Sequence, residues 1–129
     1  MKRLALIPFL TISLVVGAQP IQRPQAAASS FPLEEVRLLK SRFSEAMLRD
    51  QRYLLNLDPD RLLHMYRMTA GLPSSAKPLG GWEAPDVQLR GHTLGHYLSA
   101  VSLMYASTGD QRFKTRALAI VDELAIIQT

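Results

Sequence analysis

The sequence predicts an all-α fold of about four helices. Three observations point there. Apolar side chains recur at helical intervals from Phe43 to Ile127. The breaks between those runs carry helix stop and start signals: Asp58-Pro59-Asp60, Gly71-Leu72-Pro73 and Thr108-Gly109-Asp110. No stretch reads as a credible strand, Val36 to Leu39 being at most a short extended piece.

Along the chain, the first segment is expected to be a secretory signal peptide, residues 1–18. Met1-Lys2-Arg3 is a basic start, Leu4 to Val16 is almost uninterruptedly apolar, and Val16-Gly17-Ala18 supplies the small residues of a cleavage site. Residues 19–30, QPIQRPQAAASS, lack apolar periodicity and read as a flexible linker. The folded part is expected over residues 31–129. Phe43, Met47, Leu48, Leu54, Leu55 and Leu57 define a first helix over about 41–57. Asp58 caps a second helix, Pro59 suits its first turn, and Leu62, Leu63 and Tyr66 carry it to about Met68. A loop follows over 70–81. A third helix is expected from about Asp86 or Arg90 to Ser107, ended by Gly109. The fourth, capped by Thr108 or Asp110, carries Ala117, Ile120, Val121, Leu124 and Ile127 as its apolar stripe. That stripe reaches Thr129 without a Gly, Pro or basic last turn, which suggests a sequence that continues.

The chain has 129 residues, a net charge of +4 and no cysteine. One domain is the most it holds. Removing Lys2 and Arg3 from the 15 basic residues leaves 13 against 11 acidic ones, a net of +2. Basic and acidic residues alternate along the helices, so nothing indicates a nucleic-acid surface. Export without cysteine leaves the packed core as the only source of stability.

The unusual chemistry is concentrated in one stretch, GGWEAPDVQLRGHTLGHYLSA, residues 80–100. It holds the only Trp, two of the three His and four of the seven Gly. His92 and His96 are four apart, hence about 40° apart on a helix. A metalloprotease helix would carry Glu directly after the first His, where Thr93 stands, and His64 lies on another helix. Two readings of the pair remain: buried, hydrogen-bonded histidines, or a polar pocket wall facing ligand hydroxyls. Gly91, Gly95 and Ser99 would form a smooth strip beside them, fit for a neighbouring helix or for a ligand. Trp82 offers a ring face and Glu83 a carboxylate, the composition of a carbohydrate site. Alternatively Trp82 plugs the loop, and Glu83 serves as a helix N-terminal charge or pairs with Arg90.

The runs Tyr53-Leu54-Leu55-x-Leu57-Asp58-Pro59-Asp60-Arg61-Leu62-Leu63, Ala70-Gly71-Leu72-Pro73, Gly80-Gly81-Trp82-Glu83 and Leu89-Arg90-Gly91-His92-x-x-Gly95-His96-Tyr97-Leu98-Ser99-Ala100 follow one another in an order and spacing that resembles the N-terminal part of glycoside hydrolase family 127. These are the β-L-arabinofuranosidase-like proteins, and the resemblance spans about Phe31 to Gln128. It implies an (α/α)6 barrel, of which about four helices are present here, and removal of L-arabinofuranose units with retention. It also implies a cysteine nucleophile beside a zinc ion and a glutamate acid/base, all downstream of the matched region. This chain has no Cys, so no catalytic residue and no cofactor is carried over, zinc being an expectation only for a full-length protein. The resemblance implies that His92 and His96, with Trp82 and Glu83, line the sugar pocket. Arg42 departs from the Pro that such sequences often carry there, which bears on how the first helix begins.

The expectation is therefore an exported, secreted or periplasmic, N-terminal part of a glycosidase with carbohydrate as its partner. It needs no nucleic acid, and no membrane after signal cleavage, and is inactive by itself. The competing reading is a stand-alone helical module that binds a ligand or partner without catalysis.

Overall fold

The computed structural model describes residues 28–129. The expected signal peptide lies outside the described residues, as does most of the linker. The described residues form four α-helices: α1 Arg42–Asn56, α2 Pro59–Thr69, α3 His92–Thr108 and α4 Gln111–Ile127. Two 3₁₀ turns, Leu33–Glu35 and Gly81–Glu83, precede α1 and α3. The described architecture is all-α, as the periodicity predicts. Val36 to Leu39 form no strand and join the first 3₁₀ turn to α1.

Local chemistry explains the boundaries. Ser41 caps α1 in a reciprocal box with Ser44: Ser44 N–H donates to Ser41 Oγ at 3.4 Å, and Ser41 N–H to Ser44 Oγ at 2.9 Å. Arg42 is then the first helical residue, its guanidinium 4.9 Å above the Phe43 ring. Asp58 caps α2 by accepting from Asp60 N–H at 2.9 Å, with Pro59 in the first turn, where its missing N–H costs nothing. Gly109 ends α3 at φ 73°, and Asp110 caps α4 by accepting from Arg112 N–H at 3.0 Å. With only Gly109 and Asp110 between them, α4 folds back along α3, the most extensive helix contact among the described residues.

The core sits among all four helices. Phe113, Val101 and Ile120 are sealed from solvent, with Leu94 and Tyr97 of α3, Leu62 and Leu63 of α2 and Leu54 of α1 around them. Burying side chains of this size contributes about 1.5–3 kcal/mol each. Polar reach ties the helices together as well. Tyr97 Oη donates to Leu54 O at 2.8 Å. Arg116 Nη1 donates to Leu55 O at 2.9 Å and Leu57 O at 2.7 Å, closing the C-terminal end of α1 from α4. Arg67 bridges Asp60 at 2.9 Å and Glu123 at 2.8 Å, linking α2 to α4.

The expected apolar face of α1 is only partly covered. Leu54 is buried, whereas Phe43 and Leu48 are exposed. The third helix begins at His92, later than expected, so Gly91 precedes it.

Candidate functional site

The loop joining α2 to α3 is held down from α2. Arg61 Nε donates to Lys77 O at 3.0 Å and its Nη2 to Pro78 O at 3.2 Å, while His64 Nδ1 and Ser74 Oγ are 2.9 Å apart. This brings the 3₁₀ turn Gly81–Glu83 to the head of α3. That helix has no acidic residue in its first turn and no side chain at its N-cap, because Gly91 occupies it. Glu83 supplies both functions from eight residues upstream. Its Oε2 accepts from Gly91 N–H at 2.6 Å and its Oε1 from Thr93 N–H at 2.9 Å. Burial raises the Glu83 pKa, but the hydrogen bonds from Thr93 and Gly91 and the charge of His92 outweigh it, leaving the carboxyl below its ordinary value.

Gly91 is not part of a smooth helical strip. It stands at φ 102°, where L side chains are strained, and an added Cβ would lie 3.2 Å from Tyr66 Oη. The Tyr66 hydroxyl donates to Gly91 O at 2.5 Å. Burial and then the charge of Glu83 raise the pKa of that phenol. At Gly95 an added Cβ would meet nothing within 4 Å, so no described neighbour requires the absence of a side chain there.

The three rings read from the sequence come together. Trp82 and His92 ring centroids are 6.2 Å apart, and His92 and His96 are 5.9 Å apart and edge-on. All three are exposed, so the buried-histidine reading does not describe His92 or His96, nor does a buried plug describe Trp82. Glu83 is the one candidate of the four set into the protein, its side chain 12% exposed. His92 Nδ1 is 2.5 Å from Leu89 O and 3.1 Å from Glu83 Oε1.

Beside this row is a cavity of about 550 Å³ between the C-terminal end of α2, residues 88–92 and Ile127. His92, Tyr66, Gln88 and Arg90 give it polar walls, and Met65 and Ile127 apolar ones. Of the four sequence candidates only His92 lines it. Tyr66 and Gln88 were not legible as site residues. Tyr66 reads in the sequence as one more apolar position of α2, and only the fold shows its hydroxyl reaching residue 91. The described residues hold no group of three His, Cys, Asp or Glu able to bind a metal ion. With no cysteine in the chain, a thiolate–zinc site does not fit these residues. What they offer is ring faces, hydroxyl and imidazole hydrogen bonding, and a guanidinium.

The sequence profile of the family described as beta-L-arabinofuranosidase, GH127 catalytic domain, matches residues 35–129. No curated protein matches the chain.

Proposed function

The chain belongs to the GH127 β-L-arabinofuranosidase catalytic-domain family, and on that premise we propose that residues 31–129 are the N-terminal part of an (α/α)6 catalytic barrel whose head-of-α3 surface is one wall of a sugar pocket. The carrying observation is the exposed row Trp82–His92–His96, whose middle ring, His92, also lines the neighbouring cavity. A ring face can lie against sugar C–H groups while imidazole nitrogens exchange hydrogen bonds with hydroxyls. His92, His96 and Trp82 contact the sugar in this reading, and Glu83 belongs to the same wall. The bond hydrolysed is L-arabinofuranosidic or closely related, with the reacting groups supplied from outside residues 31–129. Residues 1–18 act as the export signal of a secreted or periplasmic enzyme, a reading supported by the basic start and small-residue cleavage site. Among the described residues no helix is long and apolar enough to cross a membrane.

The test is to assay the protein, as this chain and within any longer protein that contains it, for binding and hydrolysis of aryl L-arabinofuranosides. His92→Ala and His96→Ala are each expected to weaken sugar binding about tenfold, the loss of one or two hydrogen bonds. Unchanged affinity in both variants would refute the pocket and leave the histidines structural.

A further inference from the structure

His92 Nδ1 has two close neighbours, and both are acceptors. Leu89 O is a carbonyl and Glu83 Oε1 belongs to a carboxylate bonded by main-chain N–H groups. Neither can donate to the ring, so Nδ1 must carry the hydrogen. In the neutral imidazole this leaves Nε2 unprotonated, with its lone pair free. The ring's side chain is 39% exposed and lines the cavity beside Tyr66 and Arg90.

Glu83 is fixed more firmly than the ring it touches. Two backbone donors hold its oxygens, at 2.6 and 2.9 Å. Gly91 is in turn held at its carbonyl by Tyr66. We propose that Glu83 is a positioning residue for His92: its carboxylate, 3.1 Å from Nδ1, reinforces the Nδ1–H tautomer that donates to Leu89 O, which leaves Nε2 as a hydrogen-bond acceptor for a ligand hydroxyl. The ligand half of this inference rests on the sugar-pocket reading; the tautomer half does not. A hydroxyl that donates to Nε2 fits the arrangement. A ligand group with only acceptor atoms would leave Nε2 facing another lone pair, so the His92 position selects for a donor.

The experiment is a two-bond ¹H–¹⁵N correlation of the labelled full chain at a pH where the imidazoles are neutral. His92 is assigned by its loss in His92→Asn. The expected pattern has Nε2 in the unprotonated range and Nδ1 in the protonated range. In Glu83→Ala the two nitrogen shifts of His92 should converge as the tautomers mix, while those of His64, which faces Ser74, stay put. An Nε2–H pattern in the wild type overturns the proposal, and so does a wild-type pattern in Glu83→Ala, which would leave Leu89 O as the sole determinant. If Glu83→Ala does not fold, Glu83→Gln is read in the same way: convergence supports the proposal and an unaltered pattern overturns it. Adding methyl L-arabinofuranoside then separates the two readings. A shift at Nε2 of His92 is expected, and its absence with the tautomer intact sinks the sugar pocket alone.

Discussion

At residue 91 three constraints meet in one position: a left-handed φ, an N–H taken by Glu83 and a carbonyl taken by Tyr66. Gly91→Ala adds strain at φ 102° and a Cβ 3.2 Å from the Tyr66 hydroxyl. It is expected to cost about 1–3 kcal/mol, read from the urea midpoint. Glu83 gives the chain a pH signature. Its folded pKa is depressed below the ordinary 4.5, so its contribution is fully present above that value and lost as pH falls through the lowered one. Thermal scans of wild type and Glu83→Gln should therefore keep a constant Tm gap at neutral pH that closes on acidification below about pH 4.5. Glu83 shows where sequence reading stops. Its role as a helix N-terminal charge was visible as one alternative, but its pairing with His92 depends on a turn that folds back over eight residues. The shared period of Gly91, Gly95 and Ser99 points to a helical Gly91, yet the cap that sets the helix start comes from outside the local sequence. The row Trp82, His92 and His96 was legible because one loop end and one helix turn carry all of it.

The helices themselves were legible wherever a local signal marks them. Asp58 with Pro59, and Gly109 with Asp110, act within two residues of the boundary they set, so the start of α2, the end of α3 and the start of α4 follow from the sequence. The C-terminal end of α1 is marked in the sequence only by the Asp58–Pro59 break that follows it and has no cap of its own. Asn56 and Leu57 offer neither a glycine nor a basic side chain, and the carbonyls there are met by Arg116 from α4. Arg116 also lies 3.2 Å from Tyr97 Oη, which itself bonds Leu54 O. Arg116→Met keeps much of the side-chain volume and removes the donors. The expected loss is about 2 kcal/mol in urea unfolding, in the range for hydrogen bonds from a charged group. Tyr97→Phe should cost about 1 kcal/mol, with the double variant less than additive because the two groups share partners.

For the molecule as a whole, the described helices leave many large apolar residues uncovered. Phe43, Leu48 and Tyr53 on α1, Leu103 on α3, and Leu118, Val121 and Ile126 on α4 are all exposed. Surface of that kind is uncommon on a protein that stays monomeric. The chain alone is expected to self-associate through this surface, and sedimentation velocity checks this. A protein that stays monomeric across micromolar concentrations would count against it. Periodicity showed that these positions are apolar. It could not show which of them face the core, because the same spacing serves a helix covered on one side or on two.

The two-residue link between α3 and α4 bears on the order in which the chain assembles. Contacts across it close a short loop, whereas Arg116 meets the end of α1 across some sixty residues. The α3–α4 hairpin is therefore the natural nucleus, and α1 docks onto it afterwards. Trimming Phe113, sealed in the core beside the hairpin's turn, to Leu should slow refolding, while Arg116→Met should leave refolding nearly untouched and quicken unfolding. A protein stressed in this way opens at α1 first. The loop carrying Trp82 and Glu83 stays seated on the hairpin while the helix at the start of the fold is already loose.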